Sequence, residues 1–372
     1  MNLNIIKNKV SCSLFAILLL IGFNSTAQDS VDSIFRSMNR VNDWQWKEID
    51  KKGWKTAKTD WTYGVMLAGM TEFARLSGWN NYHKIISACE EMNWSTGKER
   101  LFADDYCIAQ TYIDCYNLLG NYDFIKDFKK QSDSILSVSH DRSLTWQNEI
   151  YLKEWAWCDA LFMGPPSLAY LSRSLDDPRY LKKAAELWWK TSDHLYDPKE
   201  RLFYRDSRYF EKKEKNGQKV FWSRGNGWVL AGLARFMTAM PKNFPDRDRF
   251  IKQFREMAKR VSELQLSDGS WRASLLDPQN YNSKETSGTA LYCFALAWGI
   301  NEGILERKEY LPKIEKAWNC LVSCIHPDGK LGYVQAQGAD PQQVGPEDTD
   351  VFGTGAFLLA GCEMFKVKFN GN

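Results

Sequence analysis

Residues 61–78 read WTYGVMLAGMTEFARLSG, and Asp60 stands immediately before them. The run is apolar nearly all round a 3.6-residue turn, which predicts a helix buried on several sides. Asp60 supplies the short acceptor side chain that a helix N-terminus favours. The same arrangement recurs along the chain. Asp104-Asp105 opens YCIAQTYIDCYNLLG, Asp159 opens ALFMGPPSLAYLSRSL, and SRGNGW (Ser223–Trp228) opens VLAGLARFMTAM. Glu285-Thr286-Ser287-Gly288 opens TALYCFALAWGINEGIL, and DVFGTG (Asp350–Gly355) opens AFLLAGCEMFKV. Six apolar helices, each entered through a polar or glycine-rich turn, return at intervals of roughly 45 to 66 residues.

Between them lie segments with charges on one face, including Ser30–Asp50, Pro178–His194, Asp246–Leu266 and Tyr310–Ile325. Buried helices alternating with amphipathic ones predict six helical hairpins, with an inner ring wrapped by an outer one. The expected fold is therefore all-α, an (α/α)6 barrel forming one domain over residues 28–372. Two stacked helical subdomains or an open α-solenoid would satisfy the same periodicity without a closed funnel. Strand signals are short, at Leu202–Arg205, Ser270–Ala273 and Leu331–Val334, and follow turn sequences, so they are expected as loops or small hairpins at one end of the ring.

Composition narrows the class. The chain has 372 residues, 44% hydrophobic and 26% charged, with 16 Trp, 16 Tyr and 20 Phe. That aromatic load exceeds what a core of this size needs, and aromatics lining a cleft can stack on sugar rings. Residues 1–27 combine a lysine-bearing start, an apolar stretch and a small-residue site ending at Ala27, the pattern of a secretory signal peptide. An exported protein, periplasmic or secreted, is expected, with no membrane span in the mature chain. Removal of Lys7 and Lys9 takes the formal charge from +3 to +1, so nothing favours nucleic acid. Eight cysteines remain (Cys89, Cys107, Cys115, Cys158, Cys293, Cys320, Cys324 and Cys362), mostly inside apolar helical runs where buried thiols are common. Neither these nor the four scattered histidines have the spacing of a metal site, and no metal or organic cofactor is called for.

A closed ring gathers the inner helix N-termini at one end, where unpaired N–H groups favour anions. Asp60, Asp105, Asp159, Arg224, Trp228 and the turn holding Thr286 and Ser287 would meet there. Each Asp taken singly reads as a helix cap; together they surround one cavity. Asp159, set among Trp155, Trp157, Leu161, Phe162 and Met163, has the surroundings that raise a carboxyl's pKa and keep it protonated as an acid. Asp104 and Asp105 are about 100° apart on a helix, so one faces the cavity, and Asp105 is taken as the inward partner. Arg224 offers a planar fork to a substrate carboxylate, or pairs with one of the aspartates. Trp228, one turn on, shares its face and could stack on a sugar.

WCDALFMGPP, SRGNGW and DDYCIAQ together resemble the unsaturated rhamnogalacturonyl hydrolases, glycoside hydrolase family 105, related to the unsaturated glucuronyl hydrolases of family 88. The resemblance runs from about Asp60 to the C-terminus. It implies an (α/α)6 barrel acting on acidic oligosaccharides that end in a 4,5-unsaturated uronic acid, as polysaccharide lyases release from pectin-like polymers. It further implies protonation of the vinyl ether at C4, water addition at C5 and collapse of the hemiketal. Asp159 takes the place of the proton donor and water activator, Asp105 that of the second carboxylate, and Arg224 and Trp228 stand near the uronate, with Asp60, Trp157, Thr286 and Ser287 around the site. Where many members carry a His in a Phe-Tyr-His-x-Trp-Asp arm, this chain has Arg205, which can still pair with a uronate. An inverting glycosidase or lyase on the same toroid, or a sugar-binding protein without catalysis, remain the alternatives.

Overall fold

Amphipathic and buried helices alternate along the chain in the computed structural model, which describes residues 30–98, 100–147 and 151–370. The leader expected at 1–27 lies outside the described residues. In chain order the helices are α1 (30–52), α2 (Trp61–Ser77), α3 (Trp79–Glu91), α4 (Ala109–Leu119), α5 (Lys126–Ser137), the single turns α6 (Tyr151–Glu154) and α7 (Ala160–Met163), and α8 (Pro165–Leu175). Then follow α9 (Pro178–Leu195), α10 (Ser223–Ala239), α11 (Arg247–Glu263), α12 (Thr286–Asn301), α13 (Arg307–Ser323) and α14 (Val351–Phe369). Burial separates the two sets. Every residue of α12 from Thr286 to Ile300 is buried. In α11 burial is confined to Phe250, Gln253, Phe254, Met257, Ala258, Val261 and Ser262, one stripe at helical spacing.

The buried helices form a closed ring. α2 packs on α4, α4 on α8, α8 on α10, α10 on α12, α12 on α14, and α14 returns to α2. That last contact excludes the open solenoid. It is a contact of backbones: a Cβ on Gly69 would stand 2.2 Å from the carbonyl oxygen of Gly355, and one on Gly355 would stand 2.2 Å from that of Val65. Only hydrogen fits at either position. The outer set closes in step, since Gln45 of α1 accepts a hydrogen bond from Thr354 of α14 at 2.9 Å.

The third inner helix is broken. Pro165 has no N–H and its ring blocks a continuing helix, so α7 ends and α8 starts anew with proline in its first turn. The indole of Trp155 fills the break against Gly164, where a Cβ would come within 2.6 Å of the ring. Trp155 has φ +57°, a left-handed conformation costly for a large side chain, and its burial holds it there. Of the expected strands, Leu202–Phe203 pairs antiparallel with Tyr196–Asp197, while the other two segments make only isolated bridges. All eight described cysteines are free and buried, and no described helix is long and apolar enough to cross a membrane.

Gly69→Ala should lower stability by at least about 2 kcal/mol, because the Cβ must push two helix backbones apart. Denaturant unfolding measures this; an unchanged midpoint would show that the α2–α14 seam is looser than described.

Candidate active site

The N-termini of the inner helices converge on one funnel, and most of the acidic residues there are caps. Asp60 accepts from the Thr62 backbone N–H at 3.0 Å and its hydroxyl at 2.7 Å. Glu285 accepts from the N–H groups of Ser287 and Gly288, and Asp350 accepts from Val351. Asp159 differs. It stands at the start of α7 but makes no capping hydrogen bond. Its Oδ2 takes a weak bond from the Cys158 thiol at 3.5 Å and lies 3.6 Å from Arg205 Nε. Its side chain is 13% exposed, and the backbone contact that acts on it is with its own N–H.

Of the Asp104-Asp105 pair, it is Asp104, not the expected Asp105, that lies near Asp159. The two share a 3-10 turn, Ala103–Tyr106, and point apart. Asp105 turns to Arg100, which grips it with Nε at 2.6 Å and Nη2 at 3.0 Å. Asp104 has Asp159 as its leading charged neighbour, followed by Arg205, Asp105 and Asp60. The 100° rule separated the pair; the Arg100 clamp, which it could not see, chose the inward one.

Arg205 is held in place through its own backbone, because Cys158 N–H donates to its carbonyl at 2.9 Å. Its Nη1 donates to Asp206 at 2.7 Å, while Nε is buried with no hydrogen-bond partner among the described residues. Asp206 also binds Arg208, and both guanidinium groups lie over Trp146, at 5.0 and 4.1 Å from its ring centroid. Asp206, Arg208 and Trp146 were not anticipated. Asp206 and Arg208 adjoin Arg205 in sequence and were within reach; Trp146 arrives from a distant loop and left no signal.

Arg224 is buried and forms no ion pair among the described residues. It donates to the carbonyls of Gln335 and Ala336, and its guanidinium lies between the rings of Trp222 and Phe352, 4.6 and 4.8 Å away. Its Nε remains without a partner. Four expected binding residues are corrected. Trp228 is fully buried, packed among Phe162, Trp61 and Phe352, so it shows no face to a sugar. Trp157 is buried against Phe102. Thr286 donates to the Gly332 carbonyl and Ser287 to Glu285, both from buried positions. Position near a helix start, a face shared with Arg224 and the family resemblance do not fix which side of a helix opening faces inward.

The electrostatics follow from this crowding. Burial raises the pKa of Asp104 to about 8, with Asp159 adding to the rise. Burial also raises Asp159, but Arg205 and then Arg224 oppose it. The free site thus keeps Asp104 protonated at neutral pH, beside an Asp159 whose own pKa burial lifts above the usual carboxylate value against the pull of the two arginines. A raised folded-state pKa stabilises the protein while the group is protonated in both states, and that contribution is lost as pH rises toward about 8. Asp104→Asn has no proton to lose, so its melting temperature relative to wild type should climb between about pH 4 and pH 8. A flat difference across that range would contradict the assignment.

The comparisons with known proteins agree with this geometry. The model of Glycosyl Hydrolase Family 88 matches residues 36–368. An unsaturated 3S-rhamnoglycuronyl hydrolase of Formosa agariphila is 38% identical over 328 residues, covering 84% of this chain and 86% of the relative. A protein of the same name from an Alteromonas species is 34% identical, covering 82% of this chain and 77% of its own. Among solved structures, a family 88 glycosyl hydrolase from Bacteroides vulgatus superposes with a TM-score of 0.81 at 32% identity, covering 90% of this chain and 99% of that one. Another, described as a polysaccharide lyase, has the same score and identity and covers 90% of this chain and 97% of that one. Family membership of this extent, on a closed ring whose funnel holds two carboxyls and an unsatisfied arginine, leads to one conclusion: the chain belongs to Glycosyl Hydrolase Family 88 and is a glycoside hydrolase.

Proposed function

We propose that the enzyme removes a terminal 4,5-unsaturated uronic acid from rhamnose-bearing oligosaccharides by hydrating the vinyl ether, with Asp159 as the acid. The observation that carries this is the pairing of an uncapped Asp159 with Arg205, whose Nε is buried and unsatisfied at 3.6 Å. A uronate carboxylate matches that vacant donor. Its negative charge offsets the cation that favours ionised Asp159, so substrate binding raises the Asp159 pKa and brings a proton onto it. Asp159 then protonates C4, and the ring oxygen stabilises the cation left at C5. Water adds at C5 and gives its proton back to the Asp159 carboxylate. The hemiketal opens by breaking the bond from C5 to the ring oxygen, and the hemiacetal left at C1 expels the aglycone as a free sugar. The net change is one water added. The rhamnose preference rests on the names of the two relatives, and the leader-like residues 1–27 support action outside the cytoplasm.

The structural likeness to a protein described as a lyase makes elimination the second reading. Ultraviolet absorbance of the conjugated uronate separates the two, because a hydrolase of this kind consumes the band and a lyase creates it. With unsaturated rhamnose-linked disaccharides, wild type should bleach the band and Asp159→Asn should be slower by about 10²–10⁴-fold. Arg205→Ala should chiefly raise KM, and wild-type activity should fall as pH rises above about 8, where Asp104 loses its proton. Growth of the band on saturated polymer would establish the lyase instead.

A further inference from the structure

At the opposite end of the toroid, where the inner helices finish, lies a second cavity of about 320 Å³. It is about 20 Å from the funnel, counted along α2 from Asp60 to Glu72 and Arg75. Part of its charge has an ordinary explanation. Arg75, Arg173 and Lys366 sit in the last turns of α2, α8 and α14, where cations suit the helix dipole. Arg75 is paired with Asp114 at 2.7 Å and Lys366 with Glu363 at 2.6 Å.

Arg235 has no such explanation. It lies a turn short of the end of α10, on the cavity wall, and is only 2% exposed. Its Nε donates to Gln110 at 2.6 Å and its Nη1 lies 3.6 Å from Glu72, beyond hydrogen-bond reach. Its Nη2 is buried without a partner among the described residues, a desolvated donor that is costly when left so. On the same wall Asp114 Oδ2 is also buried and unpartnered. Arg173 makes no carboxylate pair among the described residues; its guanidinium lies 5.4 Å from the Tyr170 ring, and that of Arg235 lies 5.3 Å from the same ring. The groups with capacity to spare are therefore of opposite sense: the Arg235 Nη2 donor, the exposed Arg173 guanidinium beyond its one bond to the Thr238 carbonyl at 3.2 Å, and an acceptor from Asp114. Trp298 and Phe294 supply apolar wall beside them. A molecule that satisfies all of these carries a carboxylate, a hydroxyl and a small apolar surface.

We infer that this cavity is a second binding site, distinct from the active-site funnel, for a small hydroxy-carboxylic acid of sugar-acid size, its carboxylate held by Arg235 and Arg173 and a hydroxyl donated to Asp114. The inference does not depend on the reaction proposed above.

Calorimetric titration with D-glucuronate tests it, with glucose as the neutral control. Because the funnel could also take a uronate, the titration is run on wild type and on Arg205→Ala. Binding should persist in Arg205→Ala, weaken at least tenfold in Arg173→Gln, and be absent for glucose. Arg173 is exposed, so that variant should fold and hydrolyse substrate as wild type does; Arg235→Lys, which keeps the charge and loses the fork, should weaken binding too. Loss of binding in Arg205→Ala with none in Arg173→Gln would place the ligand in the funnel and overturn the proposal. So would equal binding of glucose, or no heat from glucuronate at tens of millimolar, which would leave the cavity to water.

Discussion

Two glycine backbones meeting across the seam between α14 and α2 close the ring, and the rest of the molecule depends on that closure. With hydrogens at Gly69 and Gly355 the helices approach until a carbonyl oxygen fills the place of a side chain. An open arrangement would leave the apolar faces of α2 and α14 in water. Closure instead buries them and fixes where the N-termini of all the inner helices must lie. The site is a consequence of that geometry: helix ends that could each stand alone on a surface are forced into one funnel.

What is forced together is not comfortable. Asp60, Glu285 and Asp350 accept hydrogen bonds from the backbone N–H groups of the helices they open. Asp159 makes no capping bond, and burial dominates the ionisation of both Asp159 and Asp104, with the arginines opposing it and Asp159 adding to the rise at Asp104. Arg205 is also only partly satisfied, with Asp206 taking one nitrogen and leaving Nε vacant. Local rules are broken there, leaving two buried carboxyls beside a part-satisfied guanidinium, as functional sites do. The cavity at the far end shows the same departure on a smaller scale, in Arg235 and Asp114.

The arrangement also explains how an arginine can stand at position 205, where the family resemblance led to the expectation of a histidine. Its backbone carbonyl binds Cys158 N–H, so the arm is registered to the residue before Asp159 whatever the side chain. A guanidinium reaches further than an imidazole and stays charged, and Trp146 and Asp206 hold its plane.

Much of this was legible in the chain. The buried helices, their polar openings and the outer amphipathic stripes are periodic properties of residues near in sequence, so the all-α class and the six hairpins follow from pattern alone. Asp159 could be singled out because its apolar neighbours are its sequence neighbours. The sequence did not determine which side of each helix opening faces the funnel. Helix spacing and the family resemblance put Asp105, Trp228, Trp157, Thr286 and Ser287 in the site without fixing how each helix opening is turned. Those choices are made by contacts distant in sequence, or by ones whose direction depends on the packed helix: the grip of Arg100 on Asp105, the rings of Phe162 and Trp61 around Trp228, the Gly332 carbonyl that takes the Thr286 hydroxyl. A periodic pattern encodes how a helix is buried; rotation about its axis is set by what it packs against, and only the closed ring supplies that.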